Sequence, residues 1–107
     1  MTYRITFTSK AKREFNQAAL WWAEHRSRDQ AARWLDGFEA AIASLAENPD
    51  KHPLAREDES FPFSLRQLLF GLGSKSTHRA IFRVRDDDVV IYGIRHVAQC
   101  DLQPDDI

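Results

Sequence analysis

Cysteine is nearly absent. The single Cys100 cannot form an intrachain disulfide, so cross-links do not hold this chain together. That usage fits a reducing compartment, and a cytoplasmic location is expected. No apolar run approaches the roughly 20 residues that span a bilayer. The opening "MTYRITFTSK" turns polar too early for a signal peptide. No membrane partner is therefore expected. Net charge is only −1, so the totals show no bulk attraction to nucleic acid. His25, His52, His78 and His96 are scattered, and Cys100 has no CxxC partner, so no metal site is expected. "GLGSKST" has the Gly and Lys of a phosphate loop at the wrong spacing, with a strand behind it instead of a helix. The run Asp86-Asp87-Asp88 lacks the rest of a calcium loop. No nucleophile elbow supports a Ser–His–Asp triad. No cofactor is expected.

What is present is enough apolar material for one core: seven Phe, three Trp and many Leu, Ile and Ala in 107 residues. One domain, 1–107, is expected. Tyr3, Ile5 and Phe7 alternate with polar residues, the period of a half-buried strand. Ser9 offers an N-cap, and Ala11, Phe15, Ala18, Trp22 and His25 then follow helical spacing. Ser27 or Asp29 restarts a helix with the stripe Ala31, Leu35, Phe38, Ile42 and Leu45, ending before Pro49. So short a connection predicts an antiparallel helical hairpin. Trp21, Trp22 and Trp34 are read as packing residues of that hairpin and not as a ligand cage. A proline-containing acidic loop follows, then strands over 64–70 and on either side of the aspartate run. The predicted class is α+β: an N-terminal strand, a helical hairpin on one face of the sheet, and a three-stranded antiparallel meander completing it. The second face is expected to stay partly open, and the tail "VAQCDLQPDDI" to be weakly ordered.

Charge is unevenly placed. Residues 63–85 carry Arg66, Lys75, Arg79, Arg83 and Arg85 and no acid. In "HRAIFRVRDDDVVIYGIRH" the arginines alternate with Ala80, Phe82 and Val84. If helices cover the Ala/Phe/Val face, Arg79, Ile81, Arg83 and Arg85 face the open side, with Arg66 nearby and His96 returning on the last strand. Guanidinium groups suit phosphate or carboxylate, and histidine can move a proton near neutral pH. Solvated edge charges, or arginines that merely meet an acidic partner, are the plainer alternative.

The element order, "YRITFTSKAKREF", "AIASLAENPDKHP", "SLRQL" and "HRAIFRVRDDDVVIYGIRH" together resemble the RelE/ParE family of toxins from type II toxin–antitoxin modules. The resemblance covers nearly the whole chain. It implies a toxin neutralised by a cognate antitoxin, and leaves homodimer and toxin–antitoxin hetero-oligomer open. RelE-like members enter the ribosome and cut mRNA; that branch would use Arg66 and Arg79 on phosphate and His96 for proton transfer. ParE-like members bind and block DNA gyrase instead. RelE-like chains often carry further Arg and Tyr near the C-terminus, whereas none follows His96 here. The ParE-like branch is therefore favoured, with Arg66, Arg79, Ile81, Arg83 and Arg85 as the expected antitoxin- or target-binding residues and the ribosome-dependent nuclease as the alternative.

Overall fold

The switch of apolar period after Phe7 is where β1 (Arg4–Phe7) gives way to α1 (Ser9–His25). The computed structural model describes residues 2–106. The cap is Thr8, one residue before the expected Ser9: its Oγ1 accepts from Ala11 N–H at 3.1 Å. Ser27 caps α2 (Arg28–Ala43) in the same way, accepting from Gln30 N–H at 3.0 Å. A short 3-10 turn, Ser44–Ala46, finishes α2, so the regular helix stops earlier than Asn48. β2 (Arg66–Phe70), β3 (His78–Arg85) and β4 (Asp88–His96) follow. The β3–β4 turn needs a positive φ, which Asp86 supplies at 55°.

The sheet order is β1-β4-β3-β2. The meander is antiparallel as expected, and β1 joins β4 in parallel. One extra residue, Tyr92, lies between the pairs Phe82↔Ile91 and Ile81↔Gly93. This bulge resets the alternation, so Val89 and Ile91 before it and Ile94 after it all belong to the helix-side core. That core joins Phe15, Trp34, Phe38, Ile42 and Leu45 to Ala80 and Phe82. Trp34 is fully buried, and Phe38 meets it edge-to-face at 5.3 Å. Gly37 lets Phe70 stack on Phe38 at 5.0 Å: a Cβ there would stand 2.7 Å from the Phe70 ring.

The opposite face is not open. Residues 55–65 fold back over it, and the C-terminal tail crosses beside them. Ala55, Phe61, Leu65, Ile81 and Leu102 form a second apolar cluster there, with Phe63 and Tyr92 at its margin. The loop is fixed to the β2 edge by Gln67 N–H on Pro53 O (3.0 Å) and Ala55 N–H on Leu65 O (2.8 Å). The tail is anchored, with Leu102 wholly buried. Alternation in β3 indicated which residues leave the helices, but not what would cover them.

Candidate functional site: the arginine row and its cover

Along β3 the odd positions turn away from the helices, as their spacing predicts. Their fates then diverge. Arg79 is only 1% exposed. Its Nη1 donates to Glu57 Oε1 at 2.7 Å and to Gln67 Oε1 at 3.1 Å, while Nη2 donates to Glu57 Oε2. Glu57, also 1% exposed, uses the same Oε2 to accept Leu102 N–H at 2.8 Å. Burial pushes the Glu57 carboxyl up, but hydrogen bonds from Arg79 and Leu102 and the Arg79 charge outweigh it, leaving the carboxyl below its ordinary value. Ile81 is fully buried. The expectation that Arg79 and Ile81 present themselves on an open face is thus corrected. A carboxylate from the loop neutralises one, and the second apolar cluster encloses the other.

Arg83 and Arg85 remain accessible. The Arg83 guanidinium lies 4.1 Å over the Phe63 ring, a cation–π contact that keeps its charge at the surface. Arg85 is exposed at the end of β3. Arg66 opens β2 opposite Phe82, towards the same end of the sheet but on the helix-side face that Phe82 shares, so the expectation that it stands beside the row is corrected. Its Nη1 donates to His52 O at 2.6 Å, and its Nε is 3.9 Å from Asp50. Arg83 and Arg85 on one face and Arg66 on the other therefore offer charge at one end of the sheet.

His96 belongs elsewhere. It pairs across the ladder with His78, the rings meeting at 5.3 Å, and His78 in turn touches Trp34 of α2 at 5.1 Å. Both imidazoles therefore lie on the helix side. Arg79 and its cross-strand partner Arg95 lie on the other. The sheet separates Arg79 from His96, and Arg66 sits three β3 positions from Arg79. Burial pushes His78 down to about 4, with His96 adding a smaller push the same way. Among the described residues no group of three or more His, Cys, Asp or Glu could hold a metal ion.

Sequence reasoning missed the partner residues of the covering layer. Arg56 donates to Val97 O (3.2 Å) and Gln99 O (3.1 Å) and pairs with Asp101 at 2.9 Å. Arg95 donates to Cys100 O at 2.9 Å. The adjacent Arg56 and Glu57 thus hold the tail from two sides. The only hint in the sequence was the acidic cluster of that loop, Glu57, Asp58 and Glu59, set against an arginine-rich strand.

The model of the ParE toxin of the type II toxin–antitoxin system, parDE, matches residues 5–99. The chain belongs to the ParE toxin family. A chain of the chromosomal ParDE toxin–antitoxin system of P. aeruginosa shares the ParE fold with it: TM-score 0.70 and 18% identity, over 90% of this chain and 97% of that one. At that identity the likeness shows the fold. No curated protein matches the sequence. Family and fold together make this ParE-family chain the toxin component of a type II module. Among the described residues no helix is long and apolar enough to cross a membrane.

Proposed function

We propose that this toxin acts in the cytoplasm as a single domain, 1–107, that inhibits DNA gyrase by binding it and is neutralised by a cognate antitoxin. The ParE family match supports the branch. The observation that carries binding over catalysis is the sheet between Arg79 and His96. A nuclease needs its charge-stabilising and proton-moving groups around one phosphate. Here they are on opposite faces, and Arg79 already holds a buried carboxylate.

The binding roles divide accordingly. Arg66, Arg83 and Arg85 are the surface charges offered to a partner. Arg79 and Ile81 hold the face that carries Arg83 and Arg85, while Arg66 stands on the helix-side face at the same end. The partner polypeptide of the module has a second surface available in the groove between β1 and the helices. That groove is about 480 Å³, lined by Ile5, Phe7, Phe15, Leu35 and Ile42. β1 is an edge strand whose Ile5 and Phe7 are only half-buried, so an added strand and an apolar side chain could be received together.

The deciding experiment is a gyrase supercoiling assay run beside translating ribosomes with a reporter mRNA. Loss of supercoiling with intact mRNA is expected. Codon-spaced mRNA cuts with normal supercoiling would overturn the reading in favour of the ribosome-dependent nuclease.

A further inference from the structure

The toxin reading makes no use of a cleft of about 450 Å³ between the C-terminal half of α1 and the far ends of β3 and β4. Its size is that of small-ligand sites. One wall is a single stripe of α1, where Glu14, Gln17, Trp21 and Trp22 follow helical spacing. The two indoles meet edge-to-face at 5.7 Å, and Ile94 provides further apolar wall.

The polar groups of this cleft are weighted towards donors. Ala98 N–H donates to Nδ1 of His96 at 3.1 Å. That nitrogen must therefore carry the lone pair, and the neutral ring holds its proton on Nε2. Gln99 accepts His96 N–H through Oε1 at 3.3 Å, which leaves its NH₂ as the uncommitted end. Arg26 lines the cleft with donors only and a permanent charge. Glu14 is the one acid in the lining, and its Oε1 already accepts Ile94 N–H at 3.1 Å. Buried His78 stays neutral at physiological pH and adds no charge.

We propose that this cleft binds a carboxylate carried on a flat apolar ring. The ring lies against the indoles and Ile94, and the carboxylate takes the donors of Arg26, His96 and Gln99. A free aryl acid and an acidic residue beside an aromatic one in a peptide share this chemistry. Indole faces also attract cations, which Arg26 repels and Glu14 attracts, so the preference for an anion rests on the neutral donors of His96 and Gln99 beside Arg26 and is read directly by a cationic probe.

The test titrates the full chain, followed by ¹H–¹⁵N NMR of the indole and imidazole signals. The probes are phenylacetate, its neutral isostere phenylacetamide, the cation phenethylamine, and an acetylated Phe-Asp amide. Phenylacetate should shift the Trp21, Trp22 and His96 signals and bind at least about tenfold tighter than the amide or the amine, the discrimination of one charge-assisted contact. Arg26→Ala should weaken it about tenfold. The fold should survive that change, because the backbone N–H of Arg26, on Trp22 O at 3.0 Å, closes α1. Shifts with the dipeptide alone would uphold the site and assign it to a peptide. Equal binding of the amide, tighter binding of the amine, or no shift with any probe at millimolar concentration would overturn it. None of these outcomes depends on the gyrase assay.

Discussion

On the helix side of the sheet, Trp34, Phe38 and Phe82 are sealed against α1 and α2 by aromatic and aliphatic contact. On the other side, Arg79 and Glu57 lie as deep under a loop and a tail, joined by charge. Apolar packing is non-directional and survives in most conditions. A buried ion pair holds only while both partners are present, ionised and aligned. One sheet is thus closed on one face by apolar contact alone and on the other by an apolar cluster that also needs an ion pair.

Truncation is the most direct way to break this comparison. Phe38→Ala should cost about 3–5 kcal/mol, from lost transfer energy and the cavity left behind. Glu57→Ala or Arg79→Ala should cost a similar ~3–5 kcal/mol, because each strands a buried charge. Thermal unfolding will read both. A melting temperature unchanged in Arg79→Ala would show that the pair does not hold the loop. The two faces separate in the double variant Glu57→Leu/Arg79→Met. It should recover part of the loss, since apolar replacement of a buried pair is often neutral, while Leu102 N–H and Gln67 each lose a partner. No second change repairs Phe38→Ala so simply.

Acid should separate the faces in the opposite order, because His78 is the titrating group that the helix side buries. The folded His78 value lies at about 4, below its ordinary 6.5. Below pH 6.5 the unfolded chain binds a proton that the folded chain refuses, so stability is full above 6.5 and declines down to about 4. The total is about 3 kcal/mol by linkage. Glu57 is also depressed, from 4.5. Its contribution is full above that value and is lost only as pH falls through the lower folded one. Denaturant midpoints between pH 8 and 3 should therefore show a helix-side phase before a loop-side phase. His78→Phe should remove the first. A single transition confined below pH 4.5 in the unmodified chain would contradict this order.

Smaller effects follow. Thr8→Ala or Ser27→Ala should cost about 1 kcal/mol each by uncapping α1 or α2, again measured by thermal unfolding. Arg85→Ala should change stability by no more than about 0.5 kcal/mol, as for other exposed charges. It should nevertheless weaken inhibition in the supercoiling assay, and unimpaired inhibition would remove Arg85 from the target surface.

Strand and helix order were legible because each element carries its own period. Tyr3, Ile5 and Phe7 alternate, and Phe38 and Ile42 recur at helical spacing. The parity of β3 was legible too, since Ala80 and Phe82 do face the helices. The fate of Arg79 was not. Its partner, Glu57, is 22 positions away in a loop whose period says nothing about where it lies. The side on which His96 falls was equally hidden. It depends on the register of β3 with β4 and on the extra residue at Tyr92, which no apolar pattern announces. The arginines of β3 do share one face, as their parity predicts, but Arg66 and His96 lie on the other.

The parallel pairing of β1 with β4 also bears on how the toxin is made. β4 lies between β1 and β3, yet it is the last strand to be synthesised. The first strand emerges without its neighbour and waits for residues 88–91, almost the whole length of the chain later. Contacts so distant in sequence slow folding, because chain entropy is spent before they form. Before those residues emerge the helical hairpin can assemble, but the sheet cannot close. Any activity that needs the finished sheet therefore waits until residues 88–91 have emerged. In that interval the unpaired edge of β1 is exposed to whatever strand comes first.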